Sequence, residues 1–303
     1  VNLAGAVAAA READLWAAWS AVIVSQVLGW WLVSLLMQRS YVWFGAELRF
    51  ADMFWVRGAS YLLLLVHATL GQGALLLYQR GATGLTWPWL LGVVALRTTL
   101  SVASVVALLL PLGVALQLSG RLAMLRLPDF VVWLALVALA LFVLDVWASL
   151  FSSRRFGVLA RVLARFDQAD FNHAFLAVRG RHALLVAALF VPQLLSTILG
   201  YAVLSHAFSV DVPWLEFFVL GPLLLVLLDL PIAFSGFGTA TLAWITLFGS
   251  YGTTEQITAL TLFLPTARLV IRVAIGGLSL PFALPALRAV GLTLPWRGRR
   301  VIP

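Results

Sequence analysis

Cysteine is absent from the 303 residues and so is lysine, while Asp and Glu together number only 12. Without cysteine there is no disulfide framework, no thiolate nucleophile and no cysteine metal site. Without lysine, all 20 basic residues are arginine. Arginine keeps its charge at every relevant pH, so a basic side chain buried in this chain is a fixed cation and not a proton carrier. Charged residues make up 11% of the chain, against roughly a quarter in an ordinary soluble domain. That scarcity excludes a water-soluble domain of useful size. No group of His or carboxylates shows metal-ligand spacing, and no nucleophile with its base, paired catalytic carboxylates or nucleotide loop is visible. Neither a metal nor any other cofactor is therefore expected, nor an enzyme activity.

What the chain has instead is apolar length: 63% hydrophobic residues and a mean hydropathy of +1.03. A membrane-crossing helix needs roughly 20 apolar residues. The runs predict an all-α, polytopic integral membrane protein with about seven or eight transmembrane elements, some broken or re-entrant, in one domain over 1–303. Residues 15–37 form the first run, with Trp16, Trp19, Trp30 and Trp31 near its ends as interface-anchoring aromatics would be. Residues 1–14 lack the pattern of a cleaved signal peptide, so this run is expected to be a retained span. Residues 38–53 are amphipathic enough to lie along the interface. The second run, 54–79, contains His67 and an interruption at Gly71-Gln72-Gly73. The third, 87–117, starts at Trp87-Pro88-Trp89, carries Arg97 and meets Pro111. A fourth covers 128–150, with Asp145 near its end, and a fifth 183–206. Residues 213–249 are broken at Asp229, Pro231 and Ser235-Gly236-Phe237-Gly238, and the last run, 255–285, at Pro265 and Gly276-Gly277.

Residues 151–182 are the most polar part, with Arg154, Arg155, Arg161, Arg165, Arg179 and Arg181. Phe156, Leu159, Leu163 and Phe166 recur there at helical spacing, as in an amphipathic interfacial helix. Arginine bias puts this loop and the tail with Arg288, Arg297, Arg299 and Arg300 on the cytoplasmic side. The net charge of +8 is accounted for by that topology and by anionic lipid, so nucleic acid is not expected as a partner.

The glycine motifs Gly71-Gln72-Gly73 and Gly236-Phe237-Gly238 each follow a span, a connector and a second apolar stretch. This suggests two structural repeats, with halves 15–150 and 183–285 joined by the basic loop. Transporters are commonly built from such repeats, with broken helices at matching positions marking the substrate site. A half-helix starting after Gly238 would aim its free amides and positive dipole end at an anion; alternatively Gly236 and Gly238 merely permit close helix packing.

Arg268 and Arg272, four apart, share a face of the last helix, and Arg97 lies well inside the third run. A central charge costs at least about 2.5–3.5 kcal/mol on insertion scales, so such residues need partners. Asp229 and Asp145 are candidates, and two readings stay open: a structural ion pair, or an excess of cations that leaves room for a ligand phosphate, which suits the planar guanidinium fork. His67 and His206 are expected to be satisfied or interfacial, and Glu255 to serve in helix capping.

The segment Leu230-Pro231-Ile232-Ala233-Phe234-Ser235-Gly236-Phe237-Gly238, followed by Arg268 and Gly276-Gly277, resembles the signature of the flippase-like membrane domain family, which includes the membrane part of bacterial lysylphosphatidylglycerol synthase/flippase proteins. Leu70-Gly71-Gln72-Gly73 with Tyr78-Gln79-Arg80-Gly81 resembles that family's first glycine motif. Where the family commonly carries a glutamate after each motif, this chain has Ala74 and Thr241. The resemblance implies a lipid translocase of the bacterial inner membrane that moves an anionic, aminoacylated or polyprenyl-linked lipid. It also implies a substrate site drawing on Gly71, Gly73, Gly236, Gly238 and Arg268, to which the charge pattern adds Arg97, Arg272 and Asp229. Expected partners are membrane lipids. The aminoacyl-transfer domain of the larger relatives is not among the 303 residues, so the alternative is a membrane scaffold for a separate lipid-modifying enzyme.

Overall fold

In the computed structural model, residues 3–43, 46–118, 180–229 and 237–291 are described. The expected span at 128–150, the helix within 151–182, the break at 230–236 with Pro231 and Gly236, and Arg297, Arg299 and Arg300 of the tail lie outside them, while Arg288 is in the last turn of the final helix. Every element among the described residues is helical: α1 (Leu3–Glu12), α2 (Leu15–Val42), α3 (Phe50–Val66), α4 (Ala68–Thr83), α5 (Trp87–Leu118), α6 (Gly180–Ala207), α7 (Trp214–Asp229), α8 (Phe237–Phe248) and α9 (Thr254–Ala289). Among the described residues three helical stretches are long and apolar enough to cross a membrane: Leu15–Val42, Leu184–Ala207 and Thr254–Ala289. They coincide with the first, fifth and last apolar runs.

By internal contacts the chain divides into two compact units. The first draws its described residues from 3–33, 95–118, 180–229 and 237–271, and the second from 34–43, 46–94 and 272–291.

In the first unit, Asp14 links two helices. Its carboxylate accepts from the Ala17 amide at 3.0 Å, capping α2, while its own amide donates to the last carbonyl of α6, Ala207, at 2.9 Å. An N-cap carboxylate there satisfies one of the amides that a helix start leaves orphaned. The two helices also approach at Gly200, where a Cβ would lie 2.9 Å from that of Ser25, as small residues allow in apolar surroundings. α7 and α8 run antiparallel: Phe217, near the start of one, stacks on Phe248, the last residue of the other, at 5.0 Å. α9 opens on a capping box, in which the Gln256 amide donates to Thr253 Oγ1 and Gln256 Oε1 accepts from the Thr253 amide. Gln256, not Glu255, does the capping, because the N3 position alone can reach back to the cap amide.

In the second unit, α3 and α4 form a helical hairpin. Gly71 packs on Leu64 next to the turn, and Gln79 reaches Met53 at the far end. The turn is His67 alone, in an extended conformation (φ −161°, ψ 138°). Its amide closes α3 on Leu63, its carbonyl accepts from Leu70 and Gly71 to open α4, and its Nδ1 accepts from the Thr69 amide and contacts Thr69 Oγ1 at 2.6 Å. The chain therefore breaks at His67, and the expected interruption at Gly71-Gln72-Gly73 is regular helix. Gly71 serves contact instead, since a Cβ there would meet Leu64 Cγ at 2.4 Å, while Gly73 faces open space.

Pro265 and Gly276-Gly277, expected to interrupt the last run, likewise lie in continuous helix. Gly276 faces Leu62 of α3, with a Cβ position only 2.6 Å from Leu62 Cγ, and Gly81 of α4 meets Val290 in the same way at 2.8 Å. Trp55 stacks on Phe282 at 4.6 Å. A buried polar pair completes the unit: the Tyr41 hydroxyl donates to Gln79 Oε1 at 2.7 Å. Each polar group there spares the other the cost of burial without a partner.

Candidate functional site

Arg268 lies in the first unit on α9, half-buried. Its guanidinium donates to the Tyr201 hydroxyl and its Cζ stands 5.0 Å from the centre of that ring. Tyr201 is in turn one end of an aromatic chain that continues to Trp244 at 6.1 Å and on to Phe217 and Phe248. Trp244, Phe217 and Phe248 are fully buried. Thr241 and Thr261 join α8 to α9 through a 2.9 Å hydroxyl contact beside this layer. The result is an apolar aromatic wall beside a fixed cation. Neither the Arg49–Asp52 ion pair at 3.9 Å nor the His206–Asp211 contact at 3.2 Å engages Arg268. Its Nε is buried with no hydrogen-bond acceptor among the described residues. The ring contact stabilises the charge by roughly 0.5–2 kcal/mol without neutralising it.

Arg272, one turn further along α9, belongs to the second unit. Its Cζ is 6.0 Å from the centre of the Tyr61 ring, and Arg57 of α3 stands 5.9 Å from the same ring. Arg57 also donates to the Met37 thioether at 3.2 Å. Arg97, on α5, is half-buried in the first unit. Thus Arg97 and Arg268 share a unit, and Arg272 goes with Gly71 and Gly73. Asp229 is the last residue of α7, and Gly238 lies in the first turn of α8, which starts one residue before it.

Residues with no place in the expected site carry much of the geometry. Arg57 sits close to the start of its apolar run, where a cation reads as interfacial, although its four-residue spacing to Tyr61 signals a shared helix face. Tyr201 and Trp244 offer no signal in sequence, since aromatic residues in a membrane helix are ordinary.

The polar end of the first unit gathers at the loops around Asp211 and Tyr251, where the Asp211 amide donates to the Tyr251 carbonyl at 3.2 Å. His206 faces Asp211 and packs at a tilt against Trp214 at 5.2 Å, beside a groove of about 350 Å³ that also includes Asp14. The Tyr251 hydroxyl donates to Glu216. Burial, then that hydrogen bond and the Glu216 charge, push the Tyr251 pKa up from 10.0 to about 12. Because the raised value favours the protonated form in the fold, its contribution is intact below the unfolded value of about 10 and is lost as pH rises through the folded one. Thermal stability followed alongside tyrosinate absorbance should therefore show an alkaline loss between about pH 10 and 12 that Tyr251→Phe removes.

No family model, curated protein or solved structure matches the chain. Its functional reading rests on the geometry above.

Proposed function

We propose that the protein is a lipid flippase of the bacterial inner membrane, moving an anionic, aminoacylated or polyprenyl-linked lipid between leaflets. The observation that carries this reading is Arg268: a cation in an apolar helix, oriented by Tyr201 and an aromatic wall, with an Nε that has no acceptor among the described residues. A headgroup phosphate supplies the missing charge, and the guanidinium fork matches its oxygens.

The order of the elements supports a transporter of two repeats. A 28-residue helix, a pair of short helices and a long helix follow one another twice, as α2, α3–α4, α5 and as α6, α7–α8, α9. Repeats with broken helices at matching positions are a common plan for moving a substrate past the midplane. The α3–α4 hairpin suits a re-entrant element. Its two helices, of 17 and 16 residues, are short for a full span, and apolar side chains flanking His67 at its tip are open, with Val66 73% exposed and Leu70 52%. Such a tip is at home in hydrocarbon or against protein, and costly in water. Counted with the apolar run at 128–150, this reading takes the protein to have seven or eight membrane-inserted segments, and arginine bias favours a cytoplasmic side for 151–182 and the C-terminus. During transfer the acyl or prenyl chains stay in the bilayer while arginine and helix ends replace water around the headgroup.

The test is translocation by the purified protein in proteoliposomes, with a headgroup-labelled anionic phospholipid compared with a zwitterionic one and with protein-free vesicles. Transfer well above the protein-free rate, selective for the anionic lipid, is expected. A rate equal to that of empty vesicles, together with co-purification of a lipid-modifying enzyme, would replace the translocase with a scaffold.

A further inference from the structure

We infer that the turn between α3 and α4 is an acid-sensitive switch, held closed by the neutral ring of His67 and released when that ring takes up a proton. Composition narrows the field first. With no cysteine and no lysine in the chain, its four histidines are the side chains whose unperturbed charge change falls between pH 5 and 8. His67 is the one that makes a turn by itself, extended between the last residue of α3 and the first of α4. Its amide bonds the Leu63 carbonyl, and its carbonyl accepts from the Leu70 and Gly71 amides. The ring then caps α4. Nδ1 accepts from the amide of Thr69, the second helical residue, at 3.3 Å, and so satisfies a donor that a helix start leaves orphaned.

This cap requires a lone pair on Nδ1, and therefore the neutral tautomer that carries its proton on Nε2. Protonation fills the lone pair. The Nδ1–H of the imidazolium can then donate to Thr69 Oγ1, 2.6 Å away, but the Thr69 amide loses its acceptor. The new charge also stands on the positive end of the α4 dipole. Asparagine, a common cap, keeps its oxygen as an acceptor at any pH. Histidine makes the same cap conditional on pH.

The charges of the elements packed here do not offset an imidazolium. Trp55 stacks on Phe282 and Gly276 meets Leu62, so α9 runs antiparallel to α3 and carries Arg272 to the level of Tyr61, with its Cζ 6.0 Å from that ring's centre. Arg57 of α3 stands 5.9 Å from the same centre. On α4 the first charge after His67 is Arg80. All three are cations, and Tyr61 and Tyr78 are phenols. The carboxylates among the described residues of this unit, Glu47 and Asp52, lie before α3 and in its first turn. Asp52 is roughly 22 Å from the tip by helical rise and is engaged by Arg49 at 3.9 Å. The turn therefore holds above the range in which histidine titrates and loosens as pH falls through it.

Any consequence for transport rests on the translocase reading, so turn and transport are measured separately. Wild type, His67→Asn and His67→Ala are reconstituted in zwitterionic nanodiscs. Hydrogen exchange of residues 66–71 is followed at about pH 8 and about pH 5, on either side of the histidine range, and corrected for the intrinsic pH dependence of exchange. Asparagine offers an acceptor at both values and alanine at neither. Wild type should match His67→Asn in the alkaline sample and His67→Ala in the acid one, with protection falling about tenfold, the factor for loss of one helix cap. Equal protection of wild type in both samples overturns the switch. A fall of the same size in His67→Asn also overturns it, by assigning the effect to another group. If a variant does not fold, imidazole nitrogen NMR of the wild type decides: a ring must lose its Nδ1 lone pair in step with protection at 66–71, and loss of protection without a titrating ring overturns the switch. Translocation that changes with pH in wild type and stays level in His67→Asn supports control of transport by the turn. An acid-sensitive turn without translocation in either sample leaves the switch standing and removes the transport reading.

Discussion

Gly71→Ala should destabilise the protein by about 1–3 kcal/mol, the usual cost of forcing extra volume into a packed contact, while Gly73→Ala, two residues on, should leave it unchanged or raise its stability by up to about 1 kcal/mol. At Gly71 the new methyl would meet Leu64 Cγ at 2.4 Å and the Leu64 backbone nitrogen at 3.0 Å, so the two arms of the hairpin must part. At Gly73 nothing lies within 4 Å of the Cβ position, and alanine there only improves the helix. The same contrast is expected at the other end of the chain, where Gly276 is in contact with Leu62 and Gly277 faces open space. Thermal unfolding in detergent, read as the melting temperature of each of the four variants, tests both pairs. Equal effects at Gly71 and Gly73 would return the motif to the role of a helix break. Loss confined to the first glycine of each pair makes these residues packing contacts.

Arg268→Gln should reduce translocation of an anionic lipid on the order of ten- to a hundredfold, corresponding to the roughly 1.5–3 kcal/mol that hydrogen bonds to a charged group contribute. Tyr201→Phe keeps the ring 5.0 Å from the guanidinium and removes only the hydroxyl, so it should cost much less than Tyr201→Ala, which removes the wall as well. Transport measured with anionic and zwitterionic lipids separates the two roles. Loss of selectivity marks Arg268 as the group that meets the headgroup. An equal fall for both lipids, with a lowered melting temperature, would make it a structural cation. Unchanged rates in Arg268→Gln would remove it from the mechanism.

The class of the molecule is legible in the residues themselves. Apolar runs at 15–37, 183–206 and 255–285 coincide with the three helices among the described residues that are long and apolar enough to cross a membrane, because length and hydropathy act locally. The position of the first break is a different matter. Glycine at 71 and 73 invites a kink on propensity, yet α4 runs through both, with Gly71 packed against Leu64 as a small residue allows and Gly73 facing open space. His67 accomplishes the turn through its own ring and Thr69, a local device hidden by the reading of a lone histidine as merely satisfied. Gly276-Gly277 and Pro265 repeat the lesson: α9 runs unbroken through all three.

The candidate site divides along the same line. That Arg268 and Arg272 are costly cations on one helix follows from composition and spacing alone. Which rings they meet does not, since Tyr201 is 67 positions away from Arg268 and Tyr61 is further still from Arg272. Arg57 carries no such signal, because a charge near the start of a run is ordinarily interfacial, and only the approach of α9 at Gly276 brings Arg272 to the ring that Arg57 also meets.

By itself, then, the sequence determined an all-helical chain whose basic groups are all permanent cations and whose apolar runs are long enough to enter a bilayer. These are properties of single residues and of their near neighbours along the chain. Tertiary structure alone decided which glycine is a contact, where the hairpin turns and which aromatic ring holds each arginine. Those outcomes depend on Cβ clearances and ring distances between helices remote in sequence, where a few tenths of an ångström separate close packing from a clash.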